Sequence, residues 1–181
     1  MMNKALLLLM VPIFTFTACS SHAKELPLKE VQAKFRRDDT AMQQFFYLGK
    51  LHCLDKQVNW QNGLDKNSLF SKGYISMFNE MSALGRLMRE DRLSQVFARF
   101  EQENIEKPAR DADQVKICSD LYHSEKGKTV YLKTVSDRSN YFDAKRDNYH
   151  EKFNYMSEEE IRQNMTDYLK YGKIDIKRFV D

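Results

Sequence analysis

Glycine and proline are scarce, six and three in 181 residues. An all-β sandwich or barrel needs frequent turns, so so few turn-formers point to helices. The chain has one tryptophan. It has no glycine-rich phosphate loop, no Gly-x-Ser-x-Gly elbow and no His-Glu-x-x-His pair. No sign of charge dominates: 29 Lys and Arg against 26 Asp and Glu leave +3, with the two signs interspersed. No basic stripe for nucleic acid is expected. With 42% apolar and 30% charged residues, the chain can bury one core and is not disordered as a whole.

Long apolar runs are absent after the N-terminus. Ala5 to Phe14, behind Lys4, is too short to span a bilayer but suits a signal-peptide core. Residues 1–18 therefore read as a signal peptide. Phe16-Thr17-Ala18-Cys19 resembles a lipoprotein box, with Cys19 lipidated as the mature N-terminus. Ser21-His22-Ala23 is a competing small-x-small cleavage site. The first reading is preferred, because a cysteine directly after the apolar core has no other evident purpose. Ser20 in the next position implies outer-membrane sorting. The expected address is the periplasm, with the membrane touched only through a lipid on Cys19. Removing the leader takes Lys4 with it and leaves +2.

Cysteine is also sparse, at three. With Cys19 lipidated or cut away, Cys53 and Cys118 remain. Two cysteines in an oxidising compartment read as one disulfide; two buried thiols are the alternative. Closing the loop between them would constrain the unfolded chain by about 4 kcal/mol.

Residues 19–37 read as a tether and 38–181 as one domain. The expected fold class is all-α, a small bundle of about five helices stapled by one disulfide. Asp38, Asp39 or Thr40 caps a first helix to about Lys56, its apolar face running through Met42, Phe45, Phe46, Gly49 and Cys53. Gly49 on that face admits a close neighbour. Trp60-Gln61-Asn62-Gly63 reads as a turn. Phe70, Tyr74, Met77, Met81, Leu84 and Met88 predict a long helix from Asp65 or Asn67 to Arg89. After a break, Leu93, Val96, Phe97 and Phe100 continue the stripe to Asn104, and Pro108 stops it. A third helix spans Asp111 to Tyr122, with Ala112, Val115 and Cys118 inward. Ser124 can cap a further helix resting on Val130, Leu132 and Val135, although Gly127 weakens it. Residues 136–156 read as a loop whose aromatics serve as contact surface or as core. Ser157 with Glu160 forms a capping box for the last helix, and Gly172 ends it. Residues 174–179 read as an extended tail or short strand.

Few residues carry obvious chemistry. His52 and His123 lie near the two cysteines, but no Cys-x-x-Cys or His-x-x-x-His spacing accompanies them, so no metal site is expected. Burial of both cysteines would raise a thiol pKa, which disfavours a nucleophilic role. Glu158-Glu159-Glu160 complement a helix dipole more simply than they form acid–base machinery. No cofactor and no enzymatic turnover are expected.

Cys118, Leu121, Tyr122, His123 and Ser124 form a Cys-x-x-Leu-Tyr-His-Ser pattern. It is similar to a motif of the Tai family, immunity proteins of type VI secretion amidase effectors. An earlier core-helix cysteine is matched by Cys53 in Leu51-His52-Cys53-Leu54. The resemblance covers residues 40–135. It implies an exported helical protein, often a homodimer, that occludes the Cys/His active site of a cognate peptidoglycan amidase. Three features depart from it: the polar Glu125-Lys126-Gly127-Lys128, the 57 residues from 125 onward, and the lipoprotein box. No effector-contacting residue carries over. The competing expectation is a structural or accessory envelope lipoprotein of a secretion or conjugation apparatus.

Overall fold

The computed structural model describes residues 26–55, 68–105, 111–143 and 156–174. The leader, Cys19, the turn at residues 60–63, Pro108 and the tail after Ile174 lie outside the described residues. Within them the chain is all-helical, and Cys53 is joined to Cys118. No strand is present among the described residues; Met88 and Tyr141 alone form an antiparallel bridge.

Eight α-helices are seen there, more than the five expected. They are α1 (Leu28–Phe35), α2 (Asp39–Asp55), α3 (Leu69–Asn79), α4 (Ala83–Leu87), α5 (Glu90–Asn104), α6 (Asp111–His123), α7 (Glu125–Ser136) and α8 (Glu158–Tyr171). The excess has three sources, one of them the extended Met88–Arg89 pair that sets α5 apart as a helix of its own. Residues 28–35 are not tether: Val31 and Phe35, four apart on one face, are fully buried and make α1 part of the body. The long helix expected to Arg89 is broken after Asn79. Met81 takes a left-handed backbone (φ 58°), and Ser82 recaps the chain by accepting the Gly85 N–H.

Helix α2 lies at the centre, against α3 on one side and α6 on the other, with α5 and α7 also in contact. Gly49 makes the α6 approach possible, since a Cβ there would overlap the Tyr122 ring. Phe45 and Tyr122 both pack on Phe97, at ring-centroid distances of 4.8 Å and 5.6 Å, and form the aromatic centre.

Scarce glycine raises the question of what closes the helix ends. Among the described glycines only Gly172 supplies a left-handed cap, at φ 74° after α8; Met81, at φ 58°, closes α3 in the same conformation. Buried phenols take over elsewhere. Tyr131 donates to the Phe35 carbonyl that ends α1, at 2.6 Å. Tyr74 donates to Gly85 and Met88 at the end of α4, at 2.9 Å and 2.6 Å. Tyr141 donates to Val135 near the end of α7, at 2.7 Å. Lys34 donates to the Tyr168 carbonyl and, at 3.0 Å, to that of Leu169, the last turn of α8. The contacts to Gly85, Met88, Val135 and Leu169 give a partner to carbonyls near helix ends, while Phe35 and Tyr168, which already accept the Asp38 and Gly172 N–H groups, gain a second donor.

Two faces are placed otherwise than expected. Val115 of α6 is half exposed while Cys118 and Tyr122 point inward. On α7 the buried anchors are Tyr131 and Val135, and Leu132 faces out. Gly127 does not break α7: it sits where a Cβ would strike the Tyr122 carbonyl, so its absent side chain permits the tight α6–α7 corner.

Candidate functional site

The two segments of the Cys-x-x-Leu-Tyr-His-Ser resemblance meet at the disulfide. Cys53 from α2 and Cys118 from α6 are both buried, with Cα atoms 5.8 Å apart. One residue before Cys53 the α2 face carries His52, and one turn after Cys118 the α6 face carries Tyr122. Both reach Glu101 of α5. Tyr122 Oη donates to Glu101 Oε1 at 2.7 Å, and His52 Nδ1 lies 3.0 Å from the same oxygen. His52 Nε2 lies 3.1 Å from Ser94 Oγ, also on α5.

The carboxylate has no exposed surface, so an unsatisfied charge there would be costly. It can only accept, which assigns the proton to His52 Nδ1; in the neutral ring Nε2 then accepts the Ser94 hydroxyl. Burial pushes the Tyr122 phenol well above its usual pKa, and the neighbouring Glu101 charge and hydrogen bond act the same way. Tyr122 is therefore a neutral donor. The network ties α2, α5 and α6 beside the covalent link.

Ser94, His52 and Glu101 stand in the order of nucleophile, base and orienting acid. Acyl transfer also needs donors aimed at a developing oxyanion. Ser94 lies inside α5, where its backbone N–H is committed to the helix. At the neighbouring start of α3, the Leu69 and Phe70 N–H groups are taken by the Asp55 carboxylate. The contacts shown order α2, α5 and α6 around one carboxylate.

Known proteins offer no guide here. No family model, curated protein or solved structure matches the chain.

The sequence-predicted residues divide accordingly. Cys53 and Cys118 are brought together. Cys19 lies outside the described residues. His52 is buried on Glu101, whereas His123 is exposed, with Nδ1 2.8 Å from the Ser119 carbonyl of its own helix. Among the described residues no group of three or more His, Cys, Asp or Glu is placed to hold a metal. Among them, too, no helix is long and apolar enough to cross a membrane. Glu101 was not anticipated. Its signal was present: it sits four residues after Phe97 and eight after Leu93, on the apolar stripe of α5, where a carboxylate must find donors.

Two of the surface concavities are lined by described residues. A cleft of about 700 Å³ at the α1–α2 corner is lined by both signs of charge, including Glu30, Arg37 and Asp39. Its Lys34 is committed to α8, and its Asp38 accepts the Tyr168 hydroxyl at 2.7 Å. A groove of about 510 Å³ runs between α5 and α7.

Proposed function

We propose that this chain is a periplasmic immunity protein that binds and inhibits a cognate type VI secretion peptidoglycan amidase. The observation that carries the reading is the junction of the two resemblance segments: Cys53 and Cys118 are bonded, and Tyr122 is locked onto Glu101 beside them. A covalently linked helical frame loses little conformational entropy on binding, which suits a stoichiometric inhibitor. A disulfide also suits an oxidising compartment such as the periplasm. The lipid on Cys19, the outer-membrane anchor and a homodimeric state belong to the same proposal.

The test is to co-express the exported domain with the Cys/His hydrolase encoded beside its gene and follow peptidoglycan cleavage. Loss of cleavage supports the reading. Unimpaired cleavage, with the chain recovered in a large membrane complex instead, would favour the accessory envelope lipoprotein.

A further inference from the structure

The α5–α7 groove has an apolar floor and a cationic rim. Val96, Phe100 and Val130 form the floor, and Arg92, Arg99 and Lys133 stand over it. Arg99 and Lys133 are exposed and make no hydrogen bond or ion pair among the described residues. Arg92 donates through Nη1 to Gln95 at 3.2 Å, yet its Nε is buried without a hydrogen-bond partner, the Asp91 carboxylate standing 4.0 Å away. Two carboxylates border the groove. Asp137 is engaged as a cap, accepting the Ser139 N–H at 2.8 Å, and Glu103 is left facing the rim. Arg92 shares the Asp91 carboxylate, so Arg99 and Lys133 stand as the two unpaired cations of the rim, with Glu103 as its one unengaged carboxylate.

A guanidinium rim suits carboxylates, which it can grip with paired N–H donors. The floor suits an aliphatic or aromatic side chain. We propose that this groove docks an acidic, carboxylate-bearing segment of the partner protein, with one apolar side chain of that segment lying on Val96, Phe100 and Val130. The proposal rests on the inhibitory reading above and specifies the surface that reading uses.

The test compares the exported chain with its Arg99→Glu/Lys133→Glu variant, using the amidase encoded beside the gene as probe. Both positions are exposed, so the variant should keep its helical spectrum and melting temperature. Lys116→Glu, on the exposed side of α6, serves as control. Calorimetry at low and high salt gives Kd. The expected result is about a hundredfold weaker binding for the double variant, with most of the salt dependence gone, and no change for the control. Undiminished affinity and salt dependence in the double variant, with wild-type binding intact, would overturn the groove while leaving the inhibitory reading standing. A wild-type chain that binds no amidase would overturn both.

Discussion

At Glu101 a carboxylate with no exposed surface accepts from Tyr122 and from the His52 ring. Removing one partner of such a cluster leaves the others buried and unsatisfied. Glu101→Ala should therefore lower stability by about 3 kcal/mol, and Tyr122→Phe by about 1–2 kcal/mol. Urea unfolding of the exported chain checks both, and a Glu101→Ala loss below half the expected size would mean the network contributes little. Ser94 has a separate test. If the network is structural, a fluorophosphonate should leave Ser94 unmodified by intact mass; stoichiometric labelling would mean that His52 activates it as a nucleophile. The residue scale was the least legible from sequence. His52 and Glu101 occupy apolar stripes of two different helices, and only their meeting in space explains either.

Among the elements, those with chemical punctuation were legible. Ser157 accepts the Glu160 N–H at 3.1 Å and Gly172 closes the far end, so α8 stands where its capping residues placed it. Ser124 likewise starts α7. The break between α3 and α4 carried one such mark, Ser82, inside an unbroken apolar stripe, and Met81 before it is not a residue that advertises a left-handed backbone. Nor did α1 announce itself, being short and flanked by charge. The close α2–α6 approach gives a prediction at this scale. Gly49→Ala places a methyl group into the Tyr122 ring and should destabilise by about 1–3 kcal/mol, read as a lower urea midpoint. A midpoint equal to wild type would show that α2 and α6 can part freely. Reduction of Cys53–Cys118, which closes a 65-residue separation, should cost about 4 kcal/mol in the same assay.

For the whole molecule, the buried phenols set an alkaline limit. Burial, the first cause in each case, raises the pKa of Tyr74, Tyr122, Tyr131, Tyr141 and Tyr168 above the ordinary 10.0. A raised pKa in the folded state means that the unfolded chain releases these protons first. Their stabilisation is full below pH 10.0 and is lost as pH climbs above it through the raised values. Helical circular dichroism and tyrosinate absorbance should therefore change together in one alkaline transition. Ionisation of Tyr74, Tyr131 and Tyr141 with the helices intact would contradict their role in closing helix ends. The composition foretold the all-helical class, and the cysteine count foretold the staple. The way a glycine-poor chain satisfies its helix ends was not legible, because packing decides which tyrosine meets which carbonyl, at separations from 6 residues for Tyr141 and Val135 to 96 for Tyr131 and Phe35.

The central claim is stoichiometric inhibition, and titration tests it most directly. The oxidised exported chain is added in steps to the neighbouring gene's purified hydrolase while soluble peptidoglycan fragments are measured. Hydrolysis should fall linearly and vanish near an equimolar ratio, as for a tight inhibitor without turnover. Hydrolysis unchanged at large molar excess of the chain would contradict it.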